Sequence, residues 1–305
     1  MTTILRTWEL TKVYEDKEIV SSVNMEIKQG EIYGFLGPNG AGKTTVMKMI
    51  TNLVKPTTGE IEFAGEKMTH RSYDMLKRMG SIIEYPVFYD KLSARENLAL
   101  HGEYMGFYDT NAIEEALELV KLRGVDSKPV KNFSLGMKQR LGIARAVMTK
   151  PELLILDEPI NGLDPLGIKE LREVFRMLSR DYGMTLLISS HILGEIEQIA
   201  DTIGVIREGV LVEQVAMDTI RSQQTQYIEL VTSECTKAVF ILEGKLGLRN
   251  YKVLDPRTIR VYEDIPQLEL SRALSAGEVE LESMSKKHHS LEDHFMELMG
   301  GVNHA

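Results

Sequence analysis

The stretch Gly37 to Thr45 reads GPNGAGKTT, and no other part of the chain constrains its folding as strongly. Gly37, Gly42, Lys43 and Thr44 stand at the fixed positions of the phosphate-loop pattern G-x-x-x-x-G-K-[ST]. Upstream, Glu31 to Leu36 (EIYGFL) is a short apolar run between Gly30 and Gly37, the signature of a buried strand. Downstream, Val46 to Leu53 continues with helix formers and sets Met47, Ile50 and Leu53 at helical spacing. Glycines let such a loop curl until successive N–H groups face one anion, and a helix N-terminus adds unpaired donors. Gly37, Pro38, Asn39, Gly40, Ala41, Gly42, Lys43, Thr44 and Thr45 are therefore expected to cradle the phosphates of a nucleotide. In this pattern Lys43 reaches the β- and γ-phosphates, and the Thr44 hydroxyl is a ligand for Mg²⁺.

A second stretch fits the first. Leu153 to Leu156 (LLIL) is apolar throughout and ends in Asp157 and Glu158. A buried strand that stops there delivers the carboxylates to the sheet edge, where open α/β folds bind ligands. Asp157 is expected to hold Mg²⁺, and Glu158 to orient or deprotonate water near the γ-phosphate.

With 305 residues the chain has room for about two domains at roughly 150 residues each. Its net charge of −9 disfavours broad nucleic-acid binding, which needs a basic surface, so no nucleic-acid partner is expected. The one obvious basic cluster, Lys286-Lys287-His288-His289, reads as a solvated turn. A lone cysteine, Cys235, excludes an internal disulfide framework and suits a reducing cytosol. Residues 1–20 lack the apolar core of a signal peptide, and the longest uncharged run, Tyr182 to Gly194, is too short to span a bilayer. Work at a membrane would need spanning helices from another chain.

Along the chain, Trp8 to Tyr14 and Ile19 to Ile27 read as a strand pair. Glu60 to Phe63 and Gly80 to Ile83 read as further short strands, and Arg71 to Arg78 as weakly helical. From Ser93 the character turns helical. Ser93 and Glu96 form a capping box, Asn111 to Leu122 is amphipathic and ends at Gly124, and a third helix starts near Ser134. Residues from about 85 to 150 are thus a helical insertion in an α/β core. The core resumes with Leu153 to Leu156, helix Ile168 to Tyr182, strand Thr185 to Ser189, helix Ile192 to Ala200 and strand Thr202 to Arg207, with Gly209 to Ala216 closing it. The alternation predicts a parallel sheet covered on both faces. Residues 1–217 form this domain. Residues 218–305 read as a small α+β domain, with strands Tyr227 to Thr232, Tyr251 to Leu254, Thr258 to Tyr262 and Val279 to Glu282. Its helices are Thr236 to Leu246, Leu268 to Leu274 and a last one capped by Ser290 and Asp293.

The order GPNGAGKTT, FSLGMKQR, LLILDEP, NGLDP and a lone histidine after a strand resembles the nucleotide-binding subunit of ATP-binding-cassette (ABC) transporters over roughly residues 5–215. The resemblance implies an α/β P-loop ATPase core with a mixed sheet and a helical insertion, working as a homodimer that sandwiches two ATP molecules. In that arrangement Ser134 and Gly136 of one copy touch the γ-phosphate held by the other. It further implies that Asp164 links the two sites, that His191 contacts the γ-phosphate and positions Glu158, and that Tyr14 stacks on adenine. The subunit is expected in the cytoplasm, on the inner face of the membrane through a separate permease.

Two positions depart from the family pattern. Glu84 stands where a glutamine usually links Mg²⁺ and water to the membrane partner, so it is a candidate metal ligand and catalytic residue that changes coupling. Leu135 and Met137 replace the usual glycine and glutamine, but Ser134 and Gly136 remain. Glu84, together with a single cassette and a short C-terminal extension, resembles the subgroup that exports or confers immunity to bacitracin and lantibiotics. Exporters of sodium, lipid or other small substrates are the nearest alternative. A soluble ABC-type ATPase of translation or DNA repair fits less well: the chain has one phosphate loop, no sustained heptads and no basic arm. A non-catalytic regulator would not need Lys43, Asp157, Glu158 and His191 together.

Overall fold

The computed structural model describes residues 2–107, 109–125, 127–222 and 226–288. The chain divides into two compact units, residues 1–217 and 218–305. In the first, β1 (Thr3–Tyr14), β2 (Lys17–Val23) and β3 (Glu26–Lys28) precede β4 (Ile32–Leu36) and α1 (Lys43–Ile50). Next come β5 (Thr58–Phe63), β6 (Glu66–Lys67), α2 (Tyr73–Leu76) and β7 (Met79–Ile82). Three helices follow, α3 (Ala94–Met105), α4 (Thr110–Leu119) and α5 (Leu135–Val147). The unit closes with β8 (Leu153–Leu156), α6 (Pro165–Arg180), β9 (Thr185–Ser190), α7 (Leu193–Ile196), β10 (Thr202–Arg207) and β11 (Val210–Ala216).

A six-stranded sheet runs in the order β11-β10-β4-β9-β8-β7. All its pairings are parallel except β10 with β11, so the sheet is mixed. Every residue of β4, β8 and β9 is buried, which is why β4 and β8 read as unbroken apolar runs. In register, Leu36 lies opposite Ser190 and Leu156 opposite Ile188. The segments that follow β4, β8 and β9 therefore emerge side by side at one edge. A second sheet, β2-β1-β5-β6 with β3 also on β1, shares a core with the first. Val46, Met47, Met49 and Ile50 of α1 fill that core together with Leu5, Phe35 and Leu187.

The expected elements recur with instructive shifts. The second strand of the first pair is broken between Val23 and Glu26. There the Thr7 hydroxyl donates to the Val23 carbonyl and accepts from the Met25 N–H, so one side chain stands in for the lost ladder bonds. The Ser93–Glu96 capping box is present with both of its bonds. Helix α4 ends at Leu119, and Gly124 (φ +90°) sits in the turn beyond instead of capping it. The helix expected over Ile192 to Ala200 is only α7, because the Ala200 and Ile199 N–H groups both fold back onto the Ile196 carbonyl and turn the chain into β10.

In the second unit α8 (Met217–Ser222) leads to β12 (Gln226–Thr232), α9 (Cys235–Gly244), β13 (Tyr251–Asp255), β14 (Thr258–Val261), α10 (Gln267–Ala276) and β15 (Leu281–His288). The four strands form an antiparallel sheet in the order β13-β14-β12-β15. Ile228, Leu230, Ile259 and Val261 pack with Ala238, Ile241, Leu242, Leu270 and Leu274 of the helices. The Lys286-Lys287 pair is not a turn. It extends β15 opposite Ile228 and Tyr227, and the Lys287 ammonium lies 2.6 Å from Glu229, a cross-strand partner invisible in a linear reading. His289 and the helix expected after Ser290 lie outside the described residues.

Gly80 of β7 lies against α5, where a Cβ would come 2.2 Å from the Ala146 carbonyl oxygen. Backbone cannot yield as a flexible side chain can, so Gly80→Ala is expected to destabilise the protein by about 1–3 kcal/mol. Gly194→Ala, where a Cβ meets open space, is the control and should stay within about 0.5 kcal/mol. Chemical unfolding of both variants checks this, and equal midpoints would show that the β7–α5 contact is looser than described.

Candidate functional site

The loop after β4 turns into α1 through two glycines with left-handed backbone, Gly40 (φ +81°) and Gly42 (φ +108°). Gly37 answers a different need, since a Cβ there would lie 2.4 Å from the Ile206 carbonyl oxygen of β10. Hydrogen bonds tie the loop to its neighbours, from the Gly37 N–H to the Ser190 carbonyl (3.3 Å) and from the Gly209 N–H to the Ala41 carbonyl (3.0 Å). A cavity of about 360 Å³ opens beside it, lined by Asn39, Gly40, Gly42, Lys43, Thr44 and Thr45 together with Ile19 and Glu158.

Lys43 is 5% exposed. Its ammonium donates to the carbonyls of Gly37 (2.7 Å) and Pro38 (3.2 Å) and lies 3.2 Å from one oxygen of Glu158. The Thr44 hydroxyl donates to Asp157 across 2.7 Å. Asp157, at the end of β8, is itself buried, and its other oxygen accepts from the Ser189 hydroxyl at 2.7 Å. Glu158 has a left-handed backbone (φ +47°), which costs a non-glycine residue about 1–3 kcal/mol unless its surroundings hold it there. Its N–H donates to Ser189 (2.9 Å), and one carboxylate oxygen is 2.9 Å from His191 Nδ1. The other oxygen is buried and makes no hydrogen bond, and the Lys43 ammonium lies 3.2 Å from it. Burial raises the nearby Glu195 carboxyl above its usual range; Arg172 and His191 pull it down and Glu158 pushes it up.

The sequence candidates Lys43, Thr44, Asp157, Glu158 and His191 thus meet in one cluster. Ser134, Gly136 and Asp164 do not join it. They line a separate cavity of about 420 Å³ with Arg140, Leu166 and Glu170. Ser134 caps α5, accepting from the Met137 N–H, and Asp164 caps α6, accepting from the Gly167 N–H. Tyr14, at the end of β1, is 44% exposed and does not line the phosphate-loop cavity. Lys12 sits over its ring, 4.7 Å from the centroid. Glu84 also stands apart. It follows β7 with a left-handed backbone (φ +64°), and its carboxylate is paired with Lys48 of α1 at 2.5 Å, not with Thr44 or Asp157.

Ser189 and Glu195 are the site's unforeseen members. For Ser189 the available signal was the pair of hydroxyls closing the strand TLLISS.

A triphosphate fits what the chain presents: a left-handed glycine loop, a buried ammonium at its mouth and a helix N-terminus without an acidic residue in its first turn. Among the described residues no group of three or more His, Cys, Asp or Glu side chains is arranged to hold a metal ion. Thr44 and Asp157 alone still suit Mg²⁺, which commonly takes one or two protein ligands beside phosphate and water. No helix among the described residues is long and apolar enough to cross a membrane.

The sequence profile of the family described as ABC transporter matches residues 20–161, and one for an AAA domain matches residues 129–197. An uncharacterised ABC transporter ATP-binding protein of Bacillus subtilis, YcbN, is 63% identical over 99% of this chain and 98% of its own length. The bacitracin transport ATP-binding protein BcrA of Bacillus licheniformis is 46% identical over 99% of both chains. A solved ATP-binding subunit of an ABC transporter superposes with a TM-score of 0.65 at 31% identity, covering 72% of this chain and 93% of that one. With relatives this similar along the whole of their length, the chain belongs to the ATP-binding subunits of ABC transporters, the ATPases that power separate transmembrane components.

Proposed function

We propose that this subunit hydrolyses Mg²⁺-ATP as a homodimer and drives, from the cytoplasmic face of the membrane, a permease that exports bacitracin or a similar peptide antibiotic. The observation that carries the ATPase reading is Glu158 held between Lys43 at 3.2 Å and His191 at 2.9 Å. In that reading the loop from Gly37 to Thr45 binds the phosphates and Lys43 neutralises the β- and γ-phosphate oxygens. Glu158 takes the proton of the attacking water or orients it, and His191 fixes the Glu158 carboxylate. Thr44 and Asp157 would hold Mg²⁺, which when bound stabilises charge on the phosphoryl oxygens.

Ser134, Gly136 and Asp164 serve the second copy. Their cavity is separate from the phosphate loop in one chain, so each chain carries two half-sites. Tyr14 stacks on the base. Glu84 tunes the coupling of hydrolysis to transport, its charge answered by Lys48. The peptide-antibiotic reading is supported by the relative named for bacitracin transport, because that similarity spans both units and not the cassette alone.

Glu158→Gln should still bind ATP, lose turnover nearly completely and accumulate as a dimer with ATP in size-exclusion chromatography; a variant that elutes only as a monomer would speak against the sandwich. Glu84→Gln and Glu84→Ala should alter the ratio of transport to ATP hydrolysed in the assembled transporter, and an unchanged ratio in both would remove Glu84 from the coupling. A host lacking the chain should become more sensitive to bacitracin, with protection restored by the native chain and not by Glu158→Gln. Unchanged bacitracin sensitivity beside a changed response to a lantibiotic or to sodium would reassign the cargo.

A further inference from the structure

Ser189 is fully buried at the carboxyl end of β9, the strand between β4 and β8. Its one hydroxyl makes two bonds into the site. It donates to Asp157 at 2.7 Å and accepts the Glu158 N–H at 2.9 Å. A hydroxyl can do both at once because it carries one proton and two lone pairs. We propose that Ser189 is a positioning residue for ATP hydrolysis, setting the Asp157 carboxylate toward Thr44 and locking Glu158 in its left-handed backbone. The inference rests on the roles given above to Asp157 and Glu158.

Two constraints meet at this atom. With one Asp157 oxygen bound by Ser189, the other is left to face Thr44, from which it accepts at 2.7 Å. Without that bond the carboxylate could rotate about its Cβ–Cγ bond and lose its direction. Meanwhile the left-handed backbone at Glu158 is a conformation that persists only where neighbours over-determine it. The Ser189 oxygen holds its N–H, and the side chain is then aimed between Lys43 and His191. Partners in the second layer around a metal ligand commonly change metal affinity or activity by about 10–100-fold when removed.

The test uses the full chain and four variants. Ser189→Ala should lower kcat by about 10–100-fold and raise the Mg²⁺ concentration for half-maximal rate, with ATP affinity unchanged. A merely structural role would move thermal stability without shifting the Mg²⁺ requirement. Ser189→Thr keeps the hydroxyl and should restore both values to within a few-fold. Ser189→Cys, close in volume but a weak donor and acceptor, should behave like Ser189→Ala and serves where the alanine variant does not fold. Native kcat and native Mg²⁺ requirement in a folded Ser189→Ala or Ser189→Cys would overturn the inference. Glu158→Gln is run alongside. If it turns over normally, the assignment of Glu158 is what fails; if it is inactive while the Ser189 variants are native, only the role of Ser189 falls.

Discussion

An ammonium group taken out of water is destabilising by several kcal/mol unless charge and hydrogen bonds replace its hydration. Lys43 is buried, and the structure around it is arranged to satisfy it. Two loop carbonyls accept its protons, and the Glu158 carboxylate lies at 3.2 Å. The loop must curl to present those carbonyls, which requires left-handed backbone at Gly40 and Gly42. Glu158 must turn inward to present its carboxylate, which requires the strain at its own backbone and the partners that hold it. Three strand ends must then lie side by side, and the parallel register of β4, β9 and β8 supplies that.

How much of this could be read beforehand depends on whether the cause was local. GPNGAGKTT specifies its own turn and helix start, because glycines at fixed offsets and a lysine at the helix entrance are decided within a few residues. The capping box at Ser93 and Glu96 is local in the same sense, and so are the unbroken apolar runs of β4 and β8. The antiparallel ladder of Lys286 and Lys287 is not local. Two adjacent lysines read as a turn until β12 is laid alongside, where Lys287 stands opposite Tyr227 and reaches Glu229, fifty-eight positions before it. Ser189 was legible only as one of two hydroxyls closing a strand, for the same reason. A hydroxyl at a strand end is commonplace, and its importance appears only when β8 lies alongside and delivers Asp157 and Glu158 to it. The short α7 also reflects tertiary demand: helical propensity favoured continuation, but the chain had to reach β10.

The two cavities express a division of labour within the chain. One is lined by the phosphate loop, Lys43 and Glu158, while the other pairs the N-cap of α5 with the N-cap of α6. Both helix starts in the second cavity are exposed to solvent at Ser134 and at the residues around Asp164. Helix N-termini attract anions, yet each already has an internal partner in its own capping side chain. A γ-phosphate presented by another copy would therefore meet a surface that is folded beforehand, and closure would need little reordering. That lowers the entropic cost of association, which any ATP-driven dimer has to overcome.

The proposed chemistry adds a further consequence for Lys43. Its ammonium serves Glu158 and two carbonyls, and a triphosphate in the loop would compete for the same three protons. A triphosphate carries more negative charge than a single carboxylate, so it would draw the ammonium toward itself and away from Glu158. The Glu158 oxygen that has no hydrogen bond would then lose its contact with that cation while its neighbour oxygen stays with His191. Binding of the substrate would in this way open one Glu158 oxygen to a new hydrogen-bond donor such as water, while His191 keeps the carboxylate in place.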